Sequence, residues 1–471
     1  MEAKIFFGDI ETTKTKMGEI VNPYTKKVVA TFPICDASDA NEALKIAEKS
    51  FKVNRQIPLS QRILWIEDVI ERLKKNKEDI AKTITDEIAK PIKFARIEVD
   101  RCIETLRLSV SAAIEQGGET FNSDAMPTGR KTISYFTRVP IGVATLITPF
   151  NFPLNLIAHK LAPALITGNS IVLKPTPEAP LTAYKFAKLF VQSKHRSPNA
   201  LSLVYGDAEV GSTLVKSSIP RAVSFTGSVP VGEIITRQAG IKKVSLELGG
   251  NAATYIDKSA NLLSVAKKCV VGAFVNSGQV CISLQRIYSH KDIADEFAQI
   301  LADEAKALIV GDPYDDDTFM GPLIDDESAQ RAQNWVQNAI SEGAVALSGG
   351  KSDGKIFPPT VMSEVTDEMQ IVCEEVFAPI VSVVKVEDFD EALGKINNSP
   401  YGLQYSIFTN DLSLAKKAIE EFDCGGVVIN DIPTIRFDIQ PYGGNKLSGI
   451  GKEGPKYALE EFTEIKSVVI C

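Results

Sequence analysis

The stretch FVNSGQVCISLQRIYSH, Phe274 to His290, sets Cys281 just after a Ser-Gly-Gln turn and just before an alternating apolar segment. A cysteine nucleophile needs access, and an influence that raises its thiolate fraction above that of a free thiol with pKa about 8.5. Gly278 permits close backbone approach beside it. The competing reading is a buried core thiol, a common fate of free cysteine; Cys269, two to three helical turns upstream, looks like that case. LELGGN puts Glu247 at a strand end followed by two glycines, where a carboxylate can swing and act as general base. Its plain alternative is a solvated or ion-paired glutamate. TPFNFP holds Asn151 in a stiff loop between aromatics and prolines, where its amide can donate to an oxyanion or serve only as an Asx-type turn residue. LKPTPEAP places Lys174 at a strand end, the ligand side of a parallel sheet, unless it is an ordinary exposed lysine.

These residues lie far apart in sequence, so the elements between them must bring them together. The chain has 471 residues, enough for two or three domains with a large apolar core. SQRILWIEDVIERLKKN sets Ile63, Ile66, Ile70 and Leu73 on one helical face, and helices continue to about Gln116. From Gly142 the pattern changes to short β-rich runs, GVATLIT, SIVLKP, LSLVYG, RAVSFTG and KVSLELGG, separated by helical stretches. This alternation means βαβ units and a parallel, doubly wound sheet of the α/β class. A second strand–helix series runs from Gly250 to about Tyr442. LEEFTEIKSVVIC reads as a strand, and with KTISYFTRV it can form a small hairpin-like extension.

Composition excludes several partners. The net charge of −8, with no basic cluster, argues against nucleic acid. The acidic N-terminus lacks the apolar core of a secretory signal. The most apolar stretch, Ile141 to Leu173, is broken by three prolines and by His159-Lys160, so it reads as buried structure and not a membrane span. Seven scattered cysteines fit free thiols in a reducing compartment, and three distant histidines suggest no zinc site.

GIGKEG (Gly449, Gly451, Gly454) matches the dinucleotide fingerprint G-x-G-x-x-G, but it lacks the strand before it and the helix and strand after it. SFTGSVPVG is the better phosphate candidate. It follows a strand and opens a helix, with Gly227 and Gly232 allowing backbone to approach a diphosphate. A plain glycine-rich βα turn is the alternative.

TPFNFP, LKPTPEAP, FTGS, LELGGN, NSGQVC, EEVFAP and PYGGNKLSGIGKEG occur in that order along essentially the whole chain. Together they resemble the aldehyde dehydrogenase superfamily; one such motif is weak, seven in order are specific. The resemblance implies the aldehyde dehydrogenase fold, with an NAD(P)-binding domain over 1–115 and 137–247. It also implies a catalytic domain over 248–441 and a β oligomerisation extension over 116–136 and 455–471. Its members use NAD or NADP without the three-glycine fingerprint. Cys281 would attack the aldehyde to give a thiohemiacetal, with Asn151 and the Cys281 N–H holding the oxyanion. Glu247 would activate water to hydrolyse the thioester left after oxidation, two easier steps replacing one. Glu453 matches a secondary proton relay. Lys174 would bind the adenine ribose, Glu375 the nicotinamide ribose, and Phe377 would pack on the cofactor. Thr148, Pro149 and Gly211 complete that set with Phe225, Thr226, Gly227, Ser228, Gly232 and Leu248.

Two departures bear on specificity. Where many NAD-preferring relatives have Glu three residues after the lysine, this chain has Pro177, so NADP stays open, with Glu178 adjacent. Arg436 stands where unselective relatives carry an apolar or aromatic residue, and its guanidinium can grip a carboxylate, phosphate or phosphonate. An ion pair with Asp438 is the alternative. The arginine resembles the lactaldehyde, non-phosphorylating glyceraldehyde-3-phosphate and phosphonoacetaldehyde dehydrogenase branch, although Val280 replaces the arginine that precedes the nucleophile in the glyceraldehyde-3-phosphate type. Phe152, Leu156, His159, Ile282 and Tyr442 would line the rest of the pocket.

The expectation is a cytoplasmic homodimer or homotetramer that oxidises a small, anionic or hydroxylated aldehyde with NAD or NADP. It would act without nucleic acid, membrane or metal. The alternatives are a CoA-acylating enzyme, against which Glu247 argues, and a silent nucleotide-binding protein on the same fold.

Overall fold

The five β-rich runs become parallel strands of one sheet: Val143–Ile147, Ser170–Lys174, Leu201–Leu203, Pro220–Thr226 and Lys243–Glu247. In this computed structural model, which describes residues 1–127, 129–352 and 356–471, they stand in the order third, second, first, fourth, fifth. The order reverses between Val143–Ile147 and Pro220–Thr226, and the crevice beyond such a reversal is where open α/β sheets bind ligands. Ile147 pairs with Lys174 and with Phe225, and Thr226 pairs with Glu247. Register therefore brings Lys174, Thr226 and Glu247 to one edge.

Antiparallel strands close both sides of this sheet, Ile5–Phe7 beside Leu201–Leu203 and Gly449–Ile450 beside Lys243–Glu247. The GIGKEG stretch is thus an edge strand paired to Leu246 and Glu247 rather than a dinucleotide turn. The chain leaves the sheet at Glu247 and enters a second, mostly parallel sheet at Ala252–Ile256, which lies between Leu284–His290 and Gln404–Phe408, with Ile380–Val386 beyond Leu284–His290. Cys281 sits just before Leu284–His290, so the nucleophile candidate hangs from the second sheet and the base candidate from the first.

The helical reading of residues 59–75 holds, but the buried face also takes Trp65 and Val69, while Ile63 is only half-buried. The apolar region around His159 is a buried helix, Asn155–Ile166, within the core. Among the described residues no helix is long and apolar enough to cross a membrane. Residues 459–471 are not one strand. Pro455 opens a helix, Pro455–Glu461, that buries Ala458 and Leu459 against Ile92–Glu115 and Asn155–Ile166; the strand is Thr463–Ile470. That strand pairs with Ile133–Pro140, and Thr120–Phe121 makes a third, so the extension is a three-stranded sheet from distant segments rather than a hairpin.

Candidate active site

Cys281 follows a run of three left-handed residues, Asn276 (φ 52°), Ser277 (φ 58°) and Gly278 (φ 70°). Such backbone costs about 1–2 kcal/mol per non-glycine residue, and side chains hold it in place. Asn276 Nδ2 donates to the Asn151 carbonyl at 3.2 Å, and Ser277 Oγ donates to the Gly321 carbonyl at 2.8 Å. Gly278 has no room for a side chain, since a Cβ there would lie 2.2 Å from the Ala378 carbonyl oxygen. The turn delivers a half-buried Cys281 into a cavity of about 950 Å³. Cys269 instead lies wholly inside the apolar core, its thiol pushed well above the usual range by burial.

Of the residues singled out from sequence, Pro149, Asn151, Phe152, Leu156, Thr226, Gly227, Ser228, Glu247 and Leu248 line this cavity. Ile282, Glu375, Phe377, Arg436, Tyr442 and Glu453 line it as well. Thr148, His159, Lys174, Gly211, Phe225 and Gly232 do not form its wall.

The Asn151 amide donates to the Gln279 carbonyl at 2.9 Å, which ties it to the nucleophile loop and leaves its second N–H uncommitted. The Cys281 N–H also has no acceptor among the described residues. These two donors are the pair an oxyanion needs. Asn151 is held from behind by a charged pair that the sequence reading missed. Lys90 donates to the Asn151 carbonyl at 2.7 Å, bonds the Glu98 carboxylate, and lies 3.9 Å from the centre of the Phe152 ring. Glu98 in turn accepts from the N–H groups of Leu154 and Asn155, where the helix Asn155–Ile166 has no side-chain cap of its own. A wholly buried ion pair is a poor stabiliser, so its value here is geometric. Nothing local in IAKPIKFARIEVD marks the pair; only burial does. Lys90→Met should lower kcat roughly ten- to a hundredfold by freeing the Asn151 loop, and should lower Tm because Glu98 is left unpaired. Adding Glu98→Gln should recover much of the Tm but not kcat, as melting curves and turnover on the two variants will read.

Glu247 is neither solvated nor ion-paired. It is buried, and neither carboxylate oxygen has a hydrogen-bond partner. Burial, then the nearby Glu453 charge, hold its pKa well above the usual carboxylate range, which favours the neutral acid. The two glycines after it are not swivels. A Cβ at Gly249 would lie 2.3 Å from Glu375 Oε2, and one at Gly250 would lie 2.2 Å from the Cys281 carbonyl oxygen. They are small so that the base strand, Glu375 and the nucleophile loop can touch.

Glu453, to which the resemblance gave a relay role, pairs with Lys160 at 2.8 Å and Arg436 at 3.1 Å. Burial alone would raise its carboxyl, but those two cations outweigh burial and hold it below the usual range. At rest it balances their charge. Lys160, a charge in an otherwise apolar helix, was visible in sequence only as an interruption.

Arg436 is also more committed than its sequence position suggested. Its main partner is Glu453, its guanidinium carbon sits 3.8 Å from the centre of the Tyr442 ring, and Asp438 is more distant at 3.6 Å. Asp438 is taken by Arg101 at 2.7 Å and His159 at 3.0 Å. His159, expected in the pocket wall, is fully buried behind it, with Nε2 3.3 Å from Arg436 Nη2; burial keeps its pKa low. It supports Arg436 and does not touch the cavity. Arg436 Nη1 has no partner among the described residues, so one edge of the guanidinium is available. Arg101, also missed, lines the same cavity and remains partly exposed.

The cofactor candidates fit a nucleotide by their unmet bonds. The Thr226 and Thr148 hydroxyls are buried without partners. The Lys174 amine is buried, not exposed, and has no partner among the described residues; burial lowers its pKa. A Cβ at Gly211 would lie 3.9 Å from the Lys174 stem, an ordinary packing contact. The helix Val229–Ala239 starts after Gly227 and Ser228 with no side-chain cap, so its first-turn N–H groups lack intrahelical acceptors and suit an anion. Gly227 and Gly232 also pack closely: a Cβ at the first would lie 2.4 Å from the Phe225 ring and one at the second 2.7 Å from Leu248. Glu375, its carboxyl raised by burial to about 7, accepts from the Gly250 N–H at 2.9 Å. Phe377 adopts a left-handed φ of 47° and meets Phe150 edge to face.

Comparison with known proteins agrees with this arrangement. The model of the aldehyde dehydrogenase family matches residues 10–468. The chain is 41% identical over 464 residues to a 3-sulfolactaldehyde dehydrogenase of Priestia aryabhattai, covering 98% of this chain and 96% of that one. It superposes on a crystal structure of aldehyde dehydrogenase 21 from Physcomitrella patens in complex with the product succinate, with TM-score 0.97, 35% identity, and 100% and 98% of the two chains covered. It also superposes on a glyceraldehyde-3-phosphate dehydrogenase from Methanocaldococcus jannaschii complexed with NADP, with TM-score 0.93, 38% identity, and 97% and 100% covered. With a matching model over nearly its full length and relatives of this similarity, the chain belongs to the aldehyde dehydrogenase family.

Proposed function

We propose that this protein oxidises a small aldehyde bearing an anionic group to the carboxylic acid, using NAD or NADP. The observation that carries the reading is one cavity holding a half-buried thiol, two free oxyanion donors and a buried carboxyl without partners. Lys174, Thr226, Glu375 and the first turn of Val229–Ala239 would hold the cofactor, which when bound supplies the hydride acceptor. The Cys281 sulfur adds to the aldehyde carbon, and the Cys281 N–H and Asn151 amide take the charge that builds on oxygen. Glu247 accepts a proton from the water that hydrolyses the resulting thioester, the role that separates this reaction from acyl transfer to CoA. Pro177 puts no carboxylate at the position that would repel a 2′-phosphate, and Lys174 offers a partnerless cation, both consistent with NADP. The relative named above binds NADP.

Arg436 and Arg101 both line the cavity; each is paired with a carboxylate, Glu453 and Asp438, and Arg436 keeps its Nη1 edge free for an anionic tail. The similar proteins act on sulfolactaldehyde and glyceraldehyde 3-phosphate, and one holds succinate as product; all three carry an anionic tail. One charge-assisted hydrogen bond at Nη1 contributes about 1.5–3 kcal/mol, or roughly one to two orders of magnitude in kcat/KM. Arg436→Leu should lose that factor on succinate semialdehyde relative to propionaldehyde. Because the arginine also balances Glu453, both substrates will lose some activity. The measure is therefore the ratio of kcat/KM for the charged and neutral aldehydes in each enzyme. An unchanged ratio removes the anionic-substrate reading.

A further inference from the structure

The Cys281 sulfur lies 2.9 Å from the Tyr442 hydroxyl, and that hydroxyl has no other hydrogen-bond partner among the described residues. The contact is built, not incidental. Tyr442 is nearly buried, and its backbone is pinned on both sides by bonds with Glu453: Tyr442 N–H donates at 3.0 Å and Glu453 N–H donates back at 2.6 Å. Arg436 lies over the face of the same ring, 3.8 Å from its centre to the guanidinium carbon. Neither proton position is fixed by the heavy atoms, so chemistry decides the direction. A thiol is intrinsically more acidic than a phenol. When the pair loses a proton, the charge settles on sulfur and the hydroxyl becomes the donor. A cation on the ring face draws electron density from the phenol, which makes it a better donor still.

We propose that Tyr442 is a catalytic residue of this enzyme: its hydroxyl donates to the Cys281 sulfur as the thiolate forms, and Arg436 on its ring face strengthens that donation. This rests on Cys281 as nucleophile and supplies the activating influence that the thiol otherwise lacks. The charged and titratable groups facing the sulfur are Tyr442, Arg436, Glu375 and Glu247. Burial, helped by the two carboxyls, raises the thiol, Tyr442 and Arg436 oppose that rise, and the balance leaves it at about 12. The tyrosine itself lies well above its ordinary value, chiefly by burial, so it remains protonated and able to donate while the thiol titrates.

The test compares the wild-type chain with Tyr442→Phe, which keeps the ring that Arg436 packs on. Iodoacetamide is added across a pH series, and alkylation of Cys281 is followed by peptide mass. The thiolate displaces iodide, forming the carbon–sulfur bond as the carbon–iodine bond breaks, and the thiol proton goes to the buffer. Exposed Cys373 serves as internal reference. Loss of a charge-assisted hydrogen bond predicts a rise of about one to two pH units in the Cys281 midpoint. At any pH below the midpoint, alkylation should slow by about ten- to a hundredfold, with Cys373 unchanged. The same shift should appear in the acidic limb of kcat/KM. An unaltered Cys281 profile would overturn the proposal. So would a downward shift, which would mean that the hydroxyl accepts from the thiol and holds it protonated. The alkylation readout requires no turnover, so it stands apart from the functional reading, which fails instead if Cys281→Ala retains aldehyde oxidation.

Discussion

Cys281→Ala should abolish aldehyde oxidation, lowering kcat by more than about a hundredfold, while cofactor affinity stays at the wild-type value. A hundredfold is about 2.7 kcal/mol of barrier, a modest demand for removal of the atom that forms the covalent intermediate. No second thiol is placed to replace it: among the described residues Cys281 is the only cysteine in the cavity wall. The alanine should also fold normally, because Cys281 is half-buried and packs among Val280, Ile282, Leu403 and Tyr442. Cofactor binding should persist, since the candidates for it lie on the first sheet and on the loop bearing Glu375. Turnover is read as reduced-nicotinamide absorbance and affinity by fluorescence titration. Retention of more than about a hundredth of wild-type kcat would remove Cys281 from the mechanism.

Glu247→Gln should slow steady turnover by roughly 10²- to 10⁴-fold, the usual range for a general base, yet spare the first turnover. The rapid-mixing signature is a burst of reduced cofactor approaching one equivalent per site, followed by a slow phase. The substitution is a mild one structurally. Burial favours the neutral form of Glu247, and glutamine is that form's counterpart in size and shape. The sign of the pH dependence follows from the same fact. A base acts when deprotonated, and burial together with the Glu453 charge raises the Glu247 pKa. Hydrolysis in the wild type should therefore climb as pH rises through that elevated pKa, and the climb should vanish in the glutamine variant. An unaltered steady rate with no burst would show that another group activates the water.

The two predictions share a physical setting that no segment of sequence displays. Cys281 and Glu247 hang from different sheets, and each is pushed toward its neutral form by burial. Burial thus biases both the thiol and the carboxyl against their charged forms. Both groups need the structure around them, and any water and substrate that enter, before they can act. Glu453 remains charged nearby only because Lys160 and Arg436 flank it. Two carboxyls in one cavity thus reach opposite protonation states through their neighbours.

Local pattern in the sequence determined the elements and the order of the motifs. Short β-rich runs and the proline or glycine that follows them mark where parallel strands end, which placed Lys174, Thr226 and Glu247 at strand ends. The left-handed turn before Cys281 was foreshadowed by Gly278. Tertiary structure decided the rest, because partners separated by scores of residues leave no local trace. Register put Gly449–Ile450 beside Glu247 and turned a fingerprint look-alike into an edge strand. Packing showed that Gly249 and Gly250 are small to admit Glu375 and the nucleophile loop, not to let a side chain swing. Burial paired Lys90 with Glu98 behind Asn151, drew His159 out of the pocket wall, and fixed Glu453 between two cations. It also set the Tyr442 hydroxyl against a sulfur 161 residues away. Residue type limits what a side chain can do; distance and dielectric, which exist only in the folded chain, select what it does.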